Sequence, residues 1–85
     1  MKTELNVPEY IPSEGFRFEW DDGFEISSTM DGNEVIIRAN AAGLRSLARH
    51  LLALAQPQVP AGYHFHLDDS NSLEDESCGL IFEKQ

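Results

Sequence analysis

The chain is poor in cysteine, in basic side chains and in long apolar runs, and each shortage narrows what its 85 residues can be. A single cysteine, Cys78, permits no internal disulfide, which excludes the cross-linked scaffolds of small secreted domains and fits a reducing cytoplasm. Six Lys and Arg stand against 15 Asp and Glu, a formal net charge of −9. A surface of that sign repels phosphate, so neither nucleic acid nor an anionic membrane is an expected partner, whereas a basic protein would be steered toward it. The longest apolar run, residues 51–55, is far short of the ~20 residues of a membrane span, and the first ten residues lack the apolar stretch of a signal peptide. Glycine-rich phosphate loops are missing too: Gly32, Gly43 and Gly62 are isolated, and none fits G-x-x-x-x-G-K.

What is present is enough to fold. Hydrophobic residues make up 41% of the chain, with five Phe, two Tyr and one Trp, sufficient apolar area for one small domain. A chain of this size buries only roughly 60–65% of its extended surface, which leaves little to spare for a deep enclosed pocket.

Residues 1–14, with Pro8, Pro12 and scattered acids, read as a loosely ordered N-terminal arm, and residues 15–85 as a single α+β domain. Residues 16–20 alternate aromatic with charged, Asp21-Asp22-Gly23 supplies a turn, and Phe24, Ile26 and Met30 continue the alternation, so the two runs predict a hairpin. Residues 34–39 form a third strand; with Val35, Ile36 and Ile37 apolar on both faces, an interior position is expected. Asn40 caps a helix over residues 41–56 that Pro57 ends. Ala41, Leu44, Leu47, Ala48, Leu51, Leu52, Leu54 and Ala55 fall on one side of this helix and predict its buried face, while Arg45, Ser46, Arg49 and His50 take the rest. Gly43 in the first turn costs ~1 kcal/mol relative to Ala. Tyr63, Phe65 and Leu67 mark a fourth strand, and residues 78–84 a fifth with Leu80 and Phe82 inward. The expected order is β-β-β-α-β-β, a two-layer sandwich of a mainly antiparallel sheet with one amphipathic helix on one face and the other face open. A homodimer through that open face is one reading of it.

Chemistry-bearing residues are few. His64-x-His66-x-Asp68 places two imidazoles and a carboxylate on one strand face, a spacing that suits a divalent ion but also an ordinary polar face. No metal and no other cofactor is expected. Residues 68–76 hold five carboxylates, Asp68, Asp69, Glu74, Asp75 and Glu76, and no base. They lack the sharp-turn glycine and ligand spacing of a calcium loop. His50 has neither nucleophile elbow nor triad partner, so packing or pairing is its expected role, and Cys78, in phase with Leu80 and Phe82, is expected as a small buried hydrophobe. Arg45 and Arg49 lie four apart, either exposed or paired with the acidic loop. Trp20, beside Asp21 and Asp22, reads as core or as an anchor for a basic partner.

Within residues 33–84, Ala42-Gly43-Leu44, Ser46-Leu47-Ala48, residues 50–55, Val59-Pro60, Gly62, His64, His66-Leu67-Asp68, residues 71–74 and Leu80-Ile81 form a set of motifs. Taken together they resemble immunity protein family thirty-two of bacterial polymorphic toxin systems. The resemblance implies a small cytoplasmic protein that binds and neutralises a cognate toxin domain, and it transfers no contact residues. Charge and exposure supply those: Asp68, Asp69, Glu74, Asp75 and Glu76 of the loop, with His64 and His66 beside them, are the expected partner-binding residues of a protein that is not an enzyme.

Overall fold

The computed structural model describes all residues, 1–85. Five elements follow one another: strands β1 (Ile26–Asp31) and β2 (Glu34–Ala39), helix α1 (Ala41–Leu54), and strands β3 (His64–Leu67) and β4 (Leu80–Glu83). The fold is α+β, with two small antiparallel sheets, β1-β2 and β3-β4. Gly32, at φ 61°, opens the two-residue turn between β1 and β2, a conformation that suits glycine, and the hairpin runs in register from Asp31↔Glu34 to Ile26↔Ala39. In the second sheet Phe65 faces Phe82 and Leu67 faces Leu80.

Residues 74–78 join the two sheets by lying along the outer edge of β1. Glu74 N–H donates to Ile26 O at 2.9 Å and Cys78 N–H to Ser28 O at 3.0 Å, while Ser28 N–H donates to Ser77 Oγ and Ser28 Oγ to the Cys78 carbonyl. Cys78 is half-buried, its Sγ 3.4 Å from Ser28 Oγ. The core gathers Ile26, Leu47, Leu54, Val59, Phe65, Leu67 and Leu73, with Phe16, Trp20, Phe24 and Phe82 packed against it.

Four strands form rather than five. Residues 16–20 make no strand, although Phe16, Phe18 and Trp20 do share a side: Phe16 and Phe18 sit 5.1 Å apart and the Phe18 and Trp20 planes lie 3° from parallel. At Glu19 and Asp21 the backbone bonds the helix instead of a neighbouring strand. Glu19 N–H meets His50 Nε2 at 3.1 Å, Arg49 Nη1 donates to Glu19 O at 3.1 Å, and Asp21 N–H donates to Ser46 Oγ at 2.9 Å. Backbone polar groups near a core must be paired, and three helical side chains do it here.

That pairing rotates the helix away from its expected face. Ser46, Arg49 and His50 are buried with Gly43, Leu47, Ala53 and Leu54, whereas Leu44, Leu51 and Leu52 are exposed. The helix begins as expected, Asn40 Oδ1 accepting from Gly43 N–H at 2.8 Å. It ends at Leu54, two residues early, where the Gln56 side chain donates to Ala53 O and Lys84 Nζ bonds the carbonyls of Gln56 and Val59 at 2.7 Å. β2 departs from expectation as well. It lies at an edge, not inside a sheet. Within the N-terminal segment, Asn6 O accepts from Arg49, Pro8 O from Gln56, and Tyr10 N–H donates to Gln56 Oε1.

Candidate functional site

β3 alternates cleanly: Phe65 and Leu67 are buried while His64 and His66 face solvent. The two imidazoles are neighbours, with ring centroids 5.1 Å apart, and His64 Nδ1 lies 3.0 Å from Gly62 O. Asp68 does not join them. Its carboxylate accepts from Ser70 N–H and Ser70 Oγ, and its carbonyl receives the N–H groups of Asn71, Ser72 and Leu73, so it holds the turn that leaves β3. Nowhere in the structure do three or more His, Cys, Asp or Glu side chains converge so as to hold a metal ion.

Beyond Asp68 the loop is anchored twice, by the buried Leu73 and by the bonds of residues 74–78 to β1. Between and beside these anchors Asp69, Glu74, Asp75 and Glu76 are exposed. None of the four takes part in an ion pair, because both ion pairs in the protein end on Asp21. Glu76 carries φ 69°, a region non-glycine residues seldom occupy, at the point where the chain turns to reach Ser28.

The arginines therefore have an acid, but not from the loop. Arg45 Nε lies 3.0 Å and Arg49 Nη1 2.9 Å from the Asp21 carboxylate, and Arg49 is almost fully buried. Asp21 is read from sequence only as a turn residue, since nothing in the spacing of residues 21, 45 and 49 reports that the turn folds onto the helix.

Sequence reasoning also misses a cleft of about 160 Å³ lined by Phe18, Trp20, His66, Leu67, Asn71 and Ser72. Small-molecule sites commonly measure ~300–1,000 Å³, so this one is of a size for a single side chain. Trp20 is flanked by Phe24 at 4.5 Å and meets His50 edge-on at 4.4 Å, which makes its ring a rigid wall. It is half-buried, serving the core and the cleft together. One wall is aromatic and the other is built from Asn71 and Ser72 of the acidic loop. Only the period-two row of Phe16, Phe18 and Trp20 hints at this in the sequence.

His50 is fully buried among Phe18, Trp20 and Phe65. Burial pushes its pKa below the ordinary value of 6.5 and the Arg49 charge adds to this, against opposing contributions from the Glu19 backbone bond and carboxylate. Nε2 lies 3.1 Å from both the N–H and the carbonyl of Glu19, and Nδ1 has no partner. No hydroxyl or thiol bonds to the ring, and the arrangement positions backbone rather than a reacting group.

No curated protein and no solved structure matches the chain. A family model described as Immunity protein 32 matches residues 34–85, from the start of β2 through the helix, the histidine strand and the acidic loop to the C-terminus. With more than half of its length so matched, the chain belongs to the Immunity protein 32 family.

Proposed function

We propose that this protein is a non-catalytic inhibitor that binds a cognate bacterial toxin domain in the cytoplasm and neutralises it by covering a basic surface, such as a nuclease cleft. The observation that carries the reading is the set of exposed carboxylates, Asp69, Glu74, Asp75 and Glu76, on a loop tied at both ends and free of internal ion pairs. An unpaired acidic surface on a molecule of net charge −9 speeds encounter with a basic partner and leaves every carboxylate available for charge-assisted hydrogen bonds. Family membership supplies the partner class, and the cleft supplies an anchor point. A Lys or Arg side chain entering beside Trp20 and Phe18 would meet aromatic faces and then the amide and hydroxyl of Asn71 and Ser72. His66 lines the cleft with His64 beside it, and Asp68 shapes the turn that follows.

Co-expression tests the reading. The toxin domain encoded beside this chain should arrest growth alone and not when the chain is present, with protection requiring at least one copy per toxin. Protection by far fewer copies than toxin molecules would signal turnover and overturn occlusion.

A further inference from the structure

β2 has the composition of an interior strand and the position of an edge. Val35, Ile36 and Ile37 put apolar side chains on both of its faces, and they are 51%, 44% and 42% exposed. The outer edge of β1 is covered by residues 74–78, but nothing lies outside β2.

The hydrogen-bond phase of the hairpin fixes which groups are left over. Asn40 N–H donates to Glu25 O at 3.1 Å, in line with the register Ile26↔Ala39, so alternate pairs from there bond across the hairpin. Glu34, Ile36 and Arg38 therefore turn their backbone groups toward β1, while Val35 and Ile37 turn theirs outward. No hydrogen bond from elsewhere in the chain reaches them. Such a row is a template for another strand.

The geometry points to a second copy of this chain as that strand, with β2 pairing antiparallel to β2 of its partner about a two-fold axis at Ile36. In this register Val35 of one copy bonds Ile37 of the other through both backbone groups, and vice versa. Ile36 meets Ile36, and Glu34 faces Arg38 at each end of the same face. Neither Glu34 nor Arg38 takes part in an ion pair within the chain. Sliding by two residues in either direction keeps the backbone phase but sets Arg38 or Glu34 against Ile36, so charge selects the central register. Screening over about 8 Å in physiological salt damps repulsion between charges remote from the seam, so of the net charge of −9 on each copy the groups beside the seam matter most.

The proposal is read from the purified chain without any toxin, by sedimentation or light scattering over a concentration series to about 1 mM in ~0.15 M salt. The expected mass is twice the 9.5 kDa of one chain. E34R and R38E, both at solvent-facing positions, should each run as monomers, the first through two facing pairs of positive charges and the second through two facing pairs of negative ones. An equimolar mixture of the two variants should recover the doubled mass, since positions 34 and 38 would then carry opposite charges at both ends of the pair. A wild-type monomer throughout the series overturns the dimer; retention of the dimer by R38E alone, or failure of the mixture to recover it, overturns this register.

Discussion

His50 is an ionisable side chain held inside an aromatic shell with one ring nitrogen unpartnered, and that has a pH signature. Its pKa in the folded chain is lowered from 6.5 chiefly by burial. Above 6.5 the ring is neutral in both folded and unfolded chains, and its contribution to stability is level. As pH falls through 6.5 the unfolded chain takes up the proton first, so stability declines until the folded ring titrates as well. Urea unfolding at pH 7.5 and 5.5 should show a lower midpoint at the acid pH, and H50L should narrow that gap even though it is less stable at both. The position of His50 on the helix flank is legible in the sequence. Its burial is not, because what covers it is the backbone of Glu19 and the rings of Phe18 and Trp20, and no helical periodicity encodes them.

The same backbone explains the two misread elements. Alternation correctly sets Phe16, Phe18 and Trp20 on one side, but alternation reports side-chain direction and is silent about which group bonds the main chain. Here Ser46, Arg49 and His50 do so, and a helix with three polar side chains turned inward must turn Leu44, Leu51 and Leu52 outward. Strands β3 and β4 are legible because their signals are local. The helix rotation depends on a segment some 25 to 31 residues away in sequence. Gly43 marks the contact between layers. A Cβ there would lie 2.6 Å from Glu25 O and 2.9 Å from Ile26 Cγ1, the first a backbone atom of the hairpin. Helix propensity favours alanine by ~1 kcal/mol, yet the clash should win. G43A should lower stability by about 1–3 kcal/mol in chemical denaturation, with the helical signal retained. Close approach of helix to hairpin is thus the reason for a residue that propensity alone marks as a cost.

At the scale of the whole molecule, only 13 of 85 residues are buried, so much of the apolar content remains at the surface, at β2 and on the outer side of the helix. No helix is long and apolar enough to cross a membrane. The acidic loop was legible as a charge run, and so was the exposure of His64 and His66 from strand alternation. The cleft beside them was not, since it forms only when residues 18–20 fold back onto the end of β3 and the turn after it. The exposed carboxylates and one wall of the cleft belong to the same loop, the binding surface proposed above, and calorimetric titration with the proposed toxin domain tests that proposal most directly. Across a salt series, the native chain should bind more tightly as salt is lowered, and D69N/E74Q/D75N/E76Q should lose about tenfold or more in affinity, most of it at the low-salt end. Equal affinities of the two proteins at every salt concentration would contradict the account.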